Sequence, residues 1–213
     1  MTAGLHPLVA VDLWDIACKT YKANFPSATV LNERIEKIDP LAYARPGTVD
    51  LLLASPECTN HSVAKGAAPR DEKSRETAMY TVQWIAALQP RWFVIENVKE
   101  MRAWGRYQEL IDMLTALGYQ MREEIINAAE FGAPQARVRL FLIGGLNMPP
   151  PPIRPSPGAS GKTVRDILDP AGTWPETPLF VEGRAETTVS RARHAIKALG
   201  AEAEFLLVYY GSG

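Results

Sequence analysis

Apolar residues in this chain fall into short runs separated by longer stretches with helical spacing. Leu8-Val9-Ala10-Val11 is a compact apolar run that ends at Asp12 and predicts a strand. Residues 15–24 then place Ile16, Ala17, Thr20 and Tyr21 along one side of a predicted helix, which Pro26 stops. Residues 49–54 form the next buried strand, and the polar Gly/Pro-containing stretch 60–73 predicts a loop over the sheet edge. A second helix begins near Ser74, with Met79, Val82, Ile85 and Ala86 as its apolar side, and ends before Pro90. Trp92-Phe93-Val94-Ile95 is a third strand, delivering Glu96-Asn97 at its carboxyl end. A helix over 107–117 follows, with Leu110, Ile111, Leu114 and Leu117 on its face and Gly118 where a C′ glycine belongs. Strands near 121–127 and 138–143 complete the series.

Strand–helix alternation with nearly continuous apolar strands predicts an α/β fold whose sheet is mostly parallel and covered on both sides. The character changes at Met148, where Pro149, Pro150, Pro151, Pro152, Pro155 and Pro157 predict a stiff extended connector. Residues 1–147 therefore read as one domain. Residues 148–213 read as a linker and small appendage, with a short helical stretch at 164–168, a helix over 187–199 carrying Arg191, Arg193, His194 and Lys197, and a strand at 205–209.

Composition narrows the chemistry. The chain has 213 residues, 46% hydrophobic and 22% charged, which is ordinary for a globular protein. Its formal net charge of -1 gives no whole-chain case for nucleic-acid binding, so any basic surface is local. The two cysteines, Cys18 and Cys58, make no disulfide framework. The three histidines, His6, His61 and His194, are scattered and form no metal-ligand spacing. No run approaches a membrane span, and the start lacks a signal-peptide pattern, so a reducing, cytoplasmic setting is the expectation.

Candidate chemistry gathers at strand ends, where open α/β sheets bind ligands. Ser55-Pro56-Glu57-Cys58-Thr59-Asn60-His61-Ser62 sets a thiol just past the strand over 49–54. A lone cysteine is more often a small buried hydrophobe, Glu96 alone is a solvated strand-end carboxylate, and Arg137 and Arg139 alone are one face of an edge strand. Together they offer a nucleophile, a carboxylate and a guanidinium to one crevice, a set that suits a planar heterocycle. Gly161-Lys162-Thr163 looks like the end of a phosphate-binding loop, but Ser156 stands where that loop needs glycine, and no strand precedes it.

The Pro-x-Cys segment, Phe93-Val94-Ile95-Glu96-Asn97-Val98 and Pro134-Gln135-Ala136-Arg137-Val138-Arg139, in this order and each beside a strand, resemble the motifs of the DNA (cytosine-5) methyltransferases over roughly residues 8–145. The resemblance implies a Rossmann-like methyltransferase sheet and S-adenosylmethionine as cofactor. It implies that Cys58 attacks C6 of a cytosine turned out of duplex DNA, that Glu96, followed by Asn97, bonds N3 and the exocyclic amine, and that Arg139 holds the base carbonyl. Arg137, with Gln135, would order the loop. Asp12 would bind the cofactor ribose and Leu13 would flank the adenine, with Arg34 and Pro56 completing that pocket. Ser62 and Lys65 would touch DNA phosphates, although a solvated polar loop explains them equally well.

The chain also departs from the family pattern. The opening strand and its Phe-x-Gly-x-Gly loop would precede residue 3. Arg34 stands where an acid is expected before Ile35, with Glu33 one place earlier, and Glu57 replaces a proline. The sequence ends at Gly213, where a target-recognition region would continue. An exposed sheet edge and weak cofactor binding by this polypeptide alone are therefore expected. A non-catalytic fragment, half of a split enzyme completed by a second chain, and an RNA cytosine methyltransferase are the competing readings.

Overall fold

A computed structural model describes residues 4–57, 76–159, 161–170, 172–175 and 178–200. Cys58, Ser62, Lys65, the loop expected over 60–73 and the strand expected at 205–209 lie outside the described residues. Among the described residues, six strands and four helices occur in the order β1 (Val9–Asp12), α1 (Asp15–Asn24), β2 (Thr29–Asn32), β3 (Leu51–Ala54), α2 (Thr77–Leu88), β4 (Trp92–Asn97), α3 (Tyr107–Ala116), β5 (Tyr119–Asn127), β6 (Val138–Leu146) and α4 (Glu186–Leu199). Strand β2 escapes the hydrophobic pattern because it is four residues long with only Val30 and Leu31 apolar.

Strands β3 to β6 form one sheet in the order β3-β4-β6-β5, while β1 and β2 pair with each other as a separate parallel ribbon. The sheet expected to be mostly parallel is parallel between β3 and β4 and antiparallel in both pairings of β6. Connection length accounts for this. Helices α2 and α3 provide the crossovers that parallel strands need, whereas β5 returns to β6 through a short connection with Gly132 at φ 88°. The return threads β6 between β4 and β5.

One face of the large sheet holds the core. Phe93, Ile95, Leu140 and Leu142 meet Val82 and Ile85 of α2 and Leu110 and Leu114 of α3, all essentially sealed from solvent. Each such side chain contributes about 1.5–3 kcal/mol by burial. Gly144 faces Phe93, and a Cβ there would lie 2.1 Å from Phe93 Cε1, so glycine makes room for the ring. Tyr119 packs edge-on against Phe93 at 5.0 Å and donates its hydroxyl to the Pro90 carbonyl at 2.7 Å. As expected, Gly118 takes the left-handed position after α3, at φ 90°.

Among the described residues, cover of the opposite face is partial: Ile143 is buried there, but the edge strand is bare. Helices α2 and α3 share a single face, and on the other side Leu53 is 65% exposed. The predicted apolar face of α1 is also corrected. Cys18 is its buried position, giving its thiol to the Asp12 carbonyl at 3.3 Å, while Ile16 is exposed. A one-position rotation about the helix separates the two readings, which spacing alone does not resolve in a ten-residue helix. Among the described residues, no strand pairing joins β1 to β3, and no helix is long and apolar enough to cross a membrane.

Candidate active site

Strand alternation places the two members of the Glu96-Asn97 pair on opposite faces. Asn97 points into the core and is 1% exposed, while Glu96 emerges on the open face. The antiparallel register sets Glu96 opposite Phe141, so Arg139, two residues earlier on β6, is its diagonal neighbour on that face. The Arg139 Nε lies 3.2 Å from Glu96 Oε1, with both side chains about three-quarters shielded, and Arg139 Nη1 donates to the Val138 carbonyl at 2.8 Å. Arg137 shares the face by the same two-residue period, and its carbonyl accepts the Ala128 amide at 2.9 Å. These three groups line a cleft of about 360 Å³ whose apolar walls include Ile126, Phe131 and Phe141. That lies within the range of about 300–1,000 Å³ usual for small-molecule sites.

The turn that leads to Cys58 is tied to this cleft. Ser55 Oγ donates to Glu96 Oε2 at 2.7 Å, and Asn97 Nδ2 donates to the Pro56 carbonyl at 3.1 Å. Asn97 Oδ1 in turn accepts the Val98 amide at 2.8 Å. The Glu57 amide donates to Thr77 Oγ1 at the start of α2, at 3.2 Å. The last described residues before Cys58 are therefore held at three successive positions. Asn97 reaches backbone rather than the cleft, and Gln135 is exposed in the connection before β6.

Of the residues expected at the cofactor, Asp12 ends β1, Leu13 follows it and Arg34 lies just past β2, whereas Pro56 follows β3 in the other sheet. The Asp12 carboxylate, at the carboxyl end of β1, is oriented by the Trp14 amide at 2.8 Å. Asn32 Nδ2 braces that corner through the Asp12 and Leu13 carbonyls at 3.2 and 2.9 Å. Leu13 and Trp14 are each 63% exposed beside it. An accepting carboxylate next to bare apolar surface fits a ribose with a flanking base. Arg34 is engaged by Glu36, and the Arg34 amide holds the Glu33 carboxyl below the usual carboxylate range. Pattern reading assigned no role to Ser55, Asn32, Ile126 or Phe131. The first two act through strand register and the last two through the tertiary cleft, and neither leaves a periodic trace.

The fold is Rossmann-like, of the type shared by methyltransferases, and the cleft lies at its strand ends. The model of the family described as C-5 cytosine-specific DNA methylase matches residues 1–191, and the chain belongs to that family. It is 31% identical over 150 residues to the type II methyltransferase M1.HphI of Haemophilus parahaemolyticus, covering 67% of this chain and 40% of that protein. It is 29% identical over 209 residues to M.AgeI of Thalassovita gelatinovora, covering 92% and 46%. The chain thus spans less than half the length of both relatives. Among solved structures, Spodoptera frugiperda DNMT2 superimposes with a TM-score of 0.54 at 23% identity, covering 70% of this chain and 45% of that one. The Entamoeba histolytica methyltransferase EhMeth gives 0.55 at 19% identity, covering 76% and 51%. These two likenesses establish the fold.

Proposed function

We propose that this chain carries the catalytic machinery for methylating C5 of cytosine in duplex DNA, in the restriction–modification setting that the type II names of its relatives suggest. The observation that carries the reading is the Glu96–Arg139 pair in a base-sized cleft, bonded directly to the turn that leads to Cys58. A ring with an acidic-face partner and a carbonyl partner matches the Watson–Crick edge of cytosine. Glu96 accepts the exocyclic amine and engages N3, and Arg139 donates to the carbonyl oxygen. Arg137 and Gln135 order the segment that presents Arg139, and Asn97 fixes the nucleophile turn from beneath.

In this mechanism the Cys58 sulfur forms a bond to C6 as the C5–C6 π electrons move toward C5 and N3, and a proton held between Glu96 and N3 neutralises the gathering charge. An unperturbed thiol, with a pKa of about 8.5, is only a few per cent thiolate at neutral pH, so substrate activation through Glu96 matters. S-adenosylmethionine, seated against Asp12 and Leu13 with Pro56 and Arg34 nearby, would supply the electrophilic methyl. Arg has no acceptor, so Arg34 would lie against the adenine and leave its amine to Glu33. Loss of the C5 proton then releases the sulfur from C6. Turning the base out of the duplex costs a few kcal/mol, which the cleft contacts and phosphate contacts from Ser62 and Lys65 must offset.

Residues 1–147 form the catalytic unit in this reading, and residues 148–213 form the linker and the beginning of target recognition. Among the described residues β1 and β3 each keep an unpaired edge, and with the exposed Leu53, Leu13 and Trp14 they fit docking of one further parallel strand with a glycine loop. Duplex DNA carrying 5-fluorocytosine tests the chemistry. With S-adenosylmethionine and the completing strand supplied, it should trap an adduct on Cys58. An adduct that persists in Cys58→Ser would refute the mechanism, and transfer to tRNA but not to DNA would overturn the substrate.

A further inference from the structure

Each oxygen of the Glu96 carboxylate has its own donor. Arg139 Nε stands 3.2 Å from Oε1, and the Ser55 hydroxyl lies 2.7 Å from Oε2. The second contact follows from register. Ala54 pairs with Ile95 in the parallel β3–β4 ladder, so the next residue on each strand, Ser55 and Glu96, emerge side by side. One step further, Asn97 Nδ2 bonds the Pro56 carbonyl at 3.1 Å. Two adjacent residues at the end of β3 are thus stitched to two adjacent residues at the end of β4, across 41 positions of sequence in each case.

We propose that Ser55 is a positioning residue for the reaction, a role that rests on the reading of Glu96 as the carboxylate that meets the base. Its hydroxyl fixes the Glu96 rotamer and couples the carboxylate to the turn that carries Cys58 three residues later. Unrestrained, a glutamate loses rotamer freedom each time it engages a ligand. Two bonds to a charged acceptor settle that orientation before the base arrives. Ser55 touches the carboxylate and not the ring, so its effect should fall on the chemical step rather than on DNA binding.

The experiment compares Ser55→Ala, Ser55→Gly and Ser55→Thr in the full chain. Ser55 is exposed, and circular dichroism checks that each variant keeps the fold. The carboxyl ¹³C resonance of Glu96 in labelled protein reports the contact without any turnover. It should move in Ser55→Ala and Ser55→Gly and stay near its original place in Ser55→Thr. In single-turnover methylation, the variants lacking the hydroxyl should be about ten-fold slower, with unchanged half-saturation by DNA, and threonine should restore most of the rate. An unmoved Glu96 resonance, or equal rates in Ser55→Ala and the parent chain, overturns the assignment. Absence of any adduct or transfer from the completed parent chain overturns the reading of the site instead, and the resonance still decides whether Ser55 orients Glu96.

Discussion

Arg139 approaches Glu96 diagonally across the β4–β6 pairing, at 3.2 Å, because the register places Phe141 rather than Arg139 directly opposite the carboxylate. The guanidinium therefore lies toward the strand end, alongside the cleft. A partly exposed ion pair adds little stability, and its value here is geometric. Replacing Glu96 by Gln keeps the size and removes the charge. It should slow methyl transfer by about 10²-fold or more, the usual scale for a group acting on the transition state. DNA affinity should be nearly intact, as single-turnover rates and equilibrium binding would show. Unchanged rates would remove Glu96 from the mechanism.

Asn97 separates support from chemistry. Asn97→Ala loses the bonds to both the Pro56 carbonyl and the Val98 amide inside the core. It should cost about 1–3 kcal/mol, read as a shifted urea midpoint. Asn97→Asp can still accept from Val98 but cannot donate to Pro56. Loss of activity with better-preserved stability in that variant would assign Asn97 to the placement of the nucleophile turn.

Gly144 is required by packing. A methyl there would sit 2.1 Å from Phe93 Cε1 and 2.3 Å from its Cζ. Gly144→Ala should therefore destabilise by about 1–3 kcal/mol, and adding Phe93→Leu should recover part of the loss. The double-mutant cycle measures the coupling. An additive pair would show that the strand shifts instead.

Alkaline stability should report on Tyr119. Burial pushes its phenol up from 10.0 to about 12, and its hydroxyl is bonded to the Pro90 carbonyl. Between about pH 10 and 12 the unfolded chain gives up this proton while the folded chain keeps it. The contribution is thus complete below pH 10 and is lost as pH rises toward 12, by roughly 1.4 kcal/mol per pH unit of the interval. Denaturant midpoints across that range should fall more steeply in the parent chain than in Tyr119→Phe.

Most of the architecture was legible in the residue pattern. Helices α2 and α3 and strands β4, β5 and β6 are long or strongly apolar on the side they bury, and their periodicity identifies them. The short β2 and the orientation of α1 were not, since four or ten residues sample too few repeats to specify a face. The antiparallel insertion of β6 was also hidden, because strand order depends on partners that are remote in sequence.

The same division runs through the candidate site. Residue types and their order along the chain determined which family this is and which groups could do chemistry: Glu96 and Arg139 stand in motifs a reader can see, because covalent neighbours are visible in one dimension. Only the tertiary structure decided that Arg139 meets one carboxylate oxygen and Ser55 the other, that Asn97 serves the backbone beneath, and that Ile126 and Phe131 wall the cleft. Those relations are set by strand register and by packing between elements remote in sequence, such as Ser55 and Glu96, 41 positions apart, and a sequence carries neither distance nor direction.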